Sequence, residues 1–266
     1  MLHMRRVLVT RPEREALQWV AALQARGIAA QALPLIAISP PADAHALQAA
    51  RDHTTDYCAV MVVSSNAAQH FFDRNTALAL TGKAQSAIKT RVWSPGPGTA
   101  RALQALGLDA ACIDQPAADA TQFDSESLWA QVHHQIGPGD AVLIVRGTEA
   151  GAHQQGTGRD WLAQQITAAG GRVDFVVAYT RGAPDWTEAQ RMQARQAASD
   201  GTLWLLSSSQ ALDNLRAALP GQAWNQAHAL ATHPRIAQTA RALGFASVHE
   251  SRPALADVAA SIESMP

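Results

Sequence analysis

Short apolar runs alternate with stretches of helical period along the whole chain. Val7, Leu8 and Val9 form the first run. Behind them Leu17, Val20, Ala21 and Gln24 keep a helical period, and Pro12 stands where an opening turn tolerates a missing N–H. The run 141–145 is apolar without a break, as a strand buried on both faces has to be. The pattern predicts an α/β fold of parallel sheets with helices on both faces.

The alternation occurs twice, in three matching pieces. A strand ending at an arginine, a helix, a glycine and an extended run appear at 7–33, with Arg11, and again at 142–177, with Arg146. A strand, then serines, then a helix appear at 60–66, with Ser64, Ser65 and Asn66, and at 203–209, with Ser207, Ser208 and Ser209. A turn containing proline and a helix closed by glycine appear at 96–107, with Gly96, Pro97, Gly98, Thr99 and Gly107, and at 233–244, with His233, Pro234 and Gly244. Each third piece then runs through a strand to Pro116 or Pro253 and into a last helix.

Ligands of open parallel sheets bind beyond the carboxyl ends of the strands. The polar residues of all three pieces stand at those ends, so the expected molecule is two similar halves facing each other across a cleft. Two divisions of the chain fit the repeats. A tandem duplication would be cut near Gly137, Pro138 and Gly139. Alternatively, the long extended segments 33–41 and 173–181 are paired crossings, and the first domain is discontinuous.

Composition narrows the partners. Of 266 residues, 47% are hydrophobic and 16% charged, and the net charge is -1. That balance supports a packed core and gives no electrostatic footprint for nucleic acid or an anionic membrane. Cys58 and Cys112 are too far apart in sequence for a metal or redox pair, and they read as small buried hydrophobes in a reducing compartment. No signal-like segment precedes Val7 and no apolar stretch is long enough to span a bilayer, so a soluble cytoplasmic protein is expected.

The candidate chemistry is anion binding. Ser64, Ser65 and Asn66, like Ser207 and Ser208, stand where side chains cap a helix. The same amides can also hold an anion. Gly98 and Thr99 open a glycine-rich helix start, which fits neither a dinucleotide fingerprint nor a Walker loop but can cradle a carboxylate. Arg11 and Arg146 match in position, and guanidinium groups suit carboxylates. Tyr179 offers either a packing ring or a phenol turned to the cleft. His45, His53, His70, His133, His134, His153 and His228 are not spaced as metal ligands, and no nucleophile elbow or carboxylate pair is present. A cofactor-free enzyme or a binding protein remains.

These residues in this order resemble the uroporphyrinogen-III synthase family. The resemblance rests on 7–12; on 64–67; on 96–100 with Gly107; on 142–147; on Gly158 and Arg159 with Leu162; on 177–181; on 207–209; and on 234–237 with Gly244. It covers nearly the whole chain, and its specificity lies in the series rather than in any one motif. It implies two α/β domains joined by a two-stranded linker, one formed by 1–37 with 180–266 and the other by 41–175, with linker strands near 33–41 and 173–181.

The resemblance also implies an activity. The family cyclises the linear tetrapyrrole hydroxymethylbilane to uroporphyrinogen III, inverting the last pyrrole ring and losing water, without metal or cofactor. The substrate loses its hydroxyl to give an azafulvene, and the last ring attacks it through a spiro intermediate. Because the substrate closes unaided to the wrong isomer, the enzyme mainly has to hold a fold of it, helped by a proton donor at the departing hydroxyl. Carried over by position, Ser65, Thr99, Ser207 and Ser208 line the substrate site, and Tyr179 assists loss of the hydroxyl. A monomer acting on this small molecule, with no nucleic acid or membrane partner, is expected. The competing expectation is a non-catalytic two-domain protein that closes on a small polyanion; a third is a degenerate family member kept for interaction. Two departures stand out: 148–157 looks like an enlarged loop, and Ile236 occupies the place that mirrors Thr99.

Overall fold

The computed structural model describes residues 6–81, 90–117, 120, 122–150 and 161–265. In chain order these form β1 (Val7–Val9), α1 (Glu13–Gln24), β2 (Ala30–Ala32), β3 (Ala37–Ser39), α2 (Ala44–Asp52), β4 (Ala59–Val62), α3 (Ser65–Phe71), α4 (Arg74–Thr81), β5 (Arg91–Trp93), α5 (Pro97–Ala105) and β6 (Ile113–Asp114). They continue as α6 (Ser125–Val132), β7 (Ala141–Glu149), α7 (Trp161–Ala168), β8 (Arg172–Gly182), α8 (Glu188–Ala197), β9 (Leu203–Leu206), α9 (Ser209–Ala218), β10 (His228–Ala231), α10 (Pro234–Leu243), β11 (Ser247–Glu250) and α11 (Leu255–Glu263). No described helix is long and apolar enough to cross a membrane.

The chain divides into two compact units. One is Met1–Ile38 with Gly182–Pro266, and the other is Ser39–Arg181. The first holds a sheet in the order β2-β1-β9-β10-β11, parallel throughout. The second holds the order β3-β8-β7-β4-β5-β6, with every described pairing from β8 to β6 parallel. Laid side by side, β1, β9 and β10 take the places of β7, β4 and β5. The three repeated pieces of the sequence therefore occupy equivalent strands of the two sheets, although the chain visits them in a different order.

Alternation along the central strands builds a core on each face. In the first unit Val7, Val9, Leu203, Leu205 and Leu230 pack with residues of α1 and α11. Leu8, Trp204, Leu206, Ala229 and Ala231 point the other way, into α8, α9 and α10. In the second unit Ala59, Met61, Trp93, Val142 and Ile144 pack against α6 and α7, while Val60 and Val62 are buried on the opposite side. All four residues of β4 and of β9 are buried, as expected of central parallel strands. Both matched helices α5 and α10 start on a proline, and a glycine follows each in the left-handed region, Gly107 at φ 98° and Gly244 at φ 102°.

Two expectations need correction. The segment 33–41 is not one long strand. Leu33 and Leu35 donate to Val9 and Thr10 carbonyls and continue beside β1, Pro34 between them has no N–H to give, and only Ala37–Ser39 forms β3. The segment 173–181 is extended as expected, lying within β8 between β3 on one side and β7 on the other. Thr148 and Glu149, expected to begin a loop, instead extend β7 opposite Thr180 and Arg181. The rest of that loop, with Gly158 and Arg159, lies outside the described residues.

Candidate active site

The most constrained group of functional candidates sits at the carboxyl ends of β4, β7 and β8. Pairing of β7 with β8 is regular up to Arg146 opposite Val177, and then jumps, so that Gly147 faces Tyr179. This β-bulge turns the strand and re-aims one side chain. It lays the Tyr179 ring over Gly147. A Cβ at Gly147 would fall 2.3 Å from Tyr179 Cζ and 2.6 Å from Cε2, so the ring takes the space a side chain would fill. Tyr179 is 5% exposed.

Two more contacts fix the ring, and both come from α3. The Ser64 hydroxyl lies 3.2 Å from the Tyr179 hydroxyl, long for a pair of hydroxyls. The His70 ring sits 5.8 Å from the Tyr179 ring, centroid to centroid, at a tilt of 31°. This short helix is itself held at both ends. Ser64 caps its start by accepting the Ala67 N–H at 3.1 Å. Arg51 closes its end, donating to the His70 carbonyl at 2.7 Å and the Phe71 carbonyl at 2.8 Å. Ser65 ties it sideways, donating to the Gly98 carbonyl at the start of α5 at 3.3 Å. Thr99 is buried in the first turn of α5, and Gly98 has open space where a side chain would point. Asn66 lies in the first turn of α3 and is partly exposed.

The two matched arginines are each stacked on an aromatic ring. Arg146 is 8% exposed, with its guanidinium carbon 4.0 Å from the centroid of Phe175. Arg11 stacks on Trp19 at 4.1 Å and pairs through Nη1 with Glu15 at 3.3 Å. Burial pulls the Arg11 pKa below its usual value, and Glu15 opposes that shift. Stacking uses the flat face of a guanidinium and does not itself occupy the in-plane donors.

The remaining candidates belong to the first unit. Ser208 stands at the N-cap of α9 without a side-chain cap bond, so the capping expected at both serine clusters occurs at Ser64 and not here. Ser207, which precedes it, is partly exposed. Ile236, matched to Thr99, is buried. A cavity of about 600 Å³ between α2 and β8 reaches Thr148 and Phe175 but neither Ser64 nor Tyr179. We place the candidate site by the converging polar groups rather than by this mostly apolar hollow.

A model of the family described as uroporphyrinogen-III synthase HemD matches residues 18–259. The chain belongs to the uroporphyrinogen-III synthase family. Its fold is also similar to that of uroporphyrinogen-III synthetase from Helicobacter pylori, at 12% identity, covering 98% of each chain, with a TM-score of 0.55. A mutant uroporphyrinogen III synthase from Thermus thermophilus matches at 16% identity over 94% of each chain, with a TM-score of 0.48.

Sequence reasoning missed three residues of the Tyr179 seat. His70 is one of the scattered histidines, and Gly147 stands in the sequence only as part of the matched 142–147 run. Arg51 carried no motif. The one available signal was the contrast between the matched pieces: Arg11 is followed by Pro12, whereas Arg146 is followed by Gly147.

Proposed function

We infer that this member of the family cyclises hydroxymethylbilane to uroporphyrinogen III with inversion of the last pyrrole ring, and that Tyr179 gives the proton that lets the substrate hydroxyl leave. The observation that carries the inference is the fixed phenol, seated on Gly147 with its hydroxyl beside Ser64. The phenol proton passes to the departing hydroxyl. The electron pair of the broken C–O bond stays on oxygen, which leaves as water. The lone pair of the pyrrole nitrogen fills the gap, giving an azafulvene cation. The last ring attacks that carbon through its substituted position and forms the spiro intermediate. The bond from that position to the neighbouring bridge carbon then breaks, its electron pair returning to the last ring, and the free α-carbon of that ring attacks the bridge carbon, so the ring closes inverted. The ring carbon that becomes substituted then sheds its proton, and the phenolate is reprotonated, so atoms and charge balance.

A positioned general acid contributes about 10²–10⁴-fold, and holding the flexible chain in one fold contributes the remainder. The substrate carboxylates are held by Arg11 and Arg146, by the hydroxyls of Ser65, Thr99, Ser207 and Ser208, and by first-turn groups at Ser64, Asn66 and Gly98. Helix-start donors of this kind suit a polyanion on a chain whose net charge is only -1. The protein acts in this reading as a cytoplasmic monomer with no nucleic-acid partner, which light scattering of the purified chain checks. Incubation with freshly generated hydroxymethylbilane tests the reaction itself. Uroporphyrinogen III is the expected product, and uroporphyrinogen I alone, as forms without enzyme, would refute it.

A further inference from the structure

The proton-donor role of Tyr179 leaves open which way its hydroxyl points, and the geometry of Ser64 bears on that. Among the described residues, Ser64 Oγ meets two groups, the Ala67 N–H and the Tyr179 hydroxyl. A serine hydroxyl has one proton and two lone pairs. The Ala67 N–H can only donate, so it takes one lone pair. Either hydroxyl can donate to the other, and in both cases two hydrogen bonds form and one hydroxyl proton is left over. A phenol that gives its proton to the substrate cannot also point it at Ser64. With Tyr179 as the proton donor, Ser64 is therefore the donor of this pair, and the proton left over is the phenol's.

We propose that Ser64 is a positioning residue: it donates to the Tyr179 oxygen and so turns the phenol proton toward the substrate. The helix cap holds the serine oxygen in place. Because the Ala67 N–H is fixed by the first turn of α3, the serine lone pair facing it is occupied whenever that turn is formed. After proton transfer the same Ser64 O–H donates to the phenolate oxygen, so one hydrogen bond serves both states without rearrangement. This inference rests on Tyr179 being the proton donor.

Asp and Thr at position 64 separate direction from capping. Aspartate caps a helix about as well as serine but has no proton to donate, so it would accept from the phenol and turn its proton inward. Threonine caps and donates. Ser64→Asp is expected to keep the melting temperature within about 4 °C and to lose kcat by about 10²-fold, the lower end of a general-acid contribution. Ser64→Thr should recover most of that kcat. The added charge of Asp also raises KM, so kcat decides. In Tyr179→Phe, adding Ser64→Asp should cost no further kcat, because the two act through one proton.

A direct readout needs no turnover. The chain has two tyrosines, and Tyr57→Phe leaves Tyr179 alone in the Raman spectrum. Its Fermi doublet should report an oxygen that accepts a hydrogen bond in the Ser64 protein, and shift toward a donor in Ser64→Asp. A doublet unchanged by Ser64→Asp, equal kcat in Ser64→Asp and Ser64→Thr, or a loss that adds in full to that of Tyr179→Phe would each overturn the proposal. If Tyr179→Phe alone keeps full kcat, the proton-donor role fails instead, and the doublet still decides the direction of the bond.

Discussion

The two units carry the same strand order and matching polar positions, yet they have spent those positions differently. In the second unit the loop ends are tied to one another: Ser64 to Tyr179, Ser65 to the Gly98 carbonyl, and Ser94 to the Gly96 carbonyl at 2.8 Å. In the first, Ser208 makes no side-chain cap bond, His233 accepts the Arg235 N–H of its own helix, Thr239 donates to Ser209 at 3.5 Å, and Thr10 and Asn214 donate to the Leu205 and Leu35 carbonyls at 2.7 Å. Counting along the matched strands, the place of Tyr179 falls at Leu35 and Ile36, both buried apolar residues. The scaffold thus occurs twice, whereas among the described residues the seated phenol of Tyr179 has no counterpart in the first unit. In the proposed reaction the second unit presets the reacting group.

The sharpest way to break this contrast is at the residue after each matched arginine. Gly147→Ala puts a methyl inside the Tyr179 ring and must displace it. A shift of about 1 Å at a reacting group costs about 10²-fold, so kcat should fall by that order. Pro12→Ala, at the matched position, should leave kcat unchanged. Steady-state assays of both variants check this, and equal effects would erase the difference between the units.

The arginines come next. If both hold carboxylates, each Ala variant raises KM and spares kcat. Arg146→Ala should raise KM about ten-fold, the lower range for a hydrogen bond to a charged group. Arg11→Ala should raise it as well. A fall in melting temperature with KM untouched would reduce either arginine to a packing role.

The smallest effect is in stability. Ser64→Ala removes a formed cap and should cost about 1 kcal/mol, whereas Ser208→Ala should stay within about 0.5 kcal/mol, as surface changes without such a bond do. Urea unfolding measures both, and a similar cost at Ser208 would show that its cap forms in solution.

Much of this architecture was legible because buried parallel strands write themselves as unbroken apolar runs, as β4, β7 and β9 do. The helix starts at Ser64 and at Pro97 were legible for the same local reason. The seat of Tyr179 was not. Its contacts join residues 32 and 115 positions apart through a bulge, and a bulge leaves no mark in hydrophobic period. The arginine positions could be read, but their stacking partners could not, since Trp19 lies on a helix and Phe175 on a neighbouring strand. The 33–41 segment misled because its apolar residues look like a strand while Pro34 interrupts the pairing. The family resemblance implied a role for Tyr179 and included Ser64 and Gly147 among its matched residues, but not that these two hold the ring.

The interleaving of the chain has a consequence for how the protein is made. The second unit is one continuous stretch, Ser39–Arg181, whereas β1 must wait for β9 before its central sheet pairing exists. Contacts that distant in sequence form slowly, and a growing chain completes its earlier contiguous parts first. While it waits, the leading segment carries Val7, Leu8 and Val9 with no strand on the β9 side, a ready target for misassociation. Pulse-labelled hydrogen exchange during refolding should therefore protect the β4 and β7 amides before those of β1. Simultaneous protection would mean that the two units fold as one.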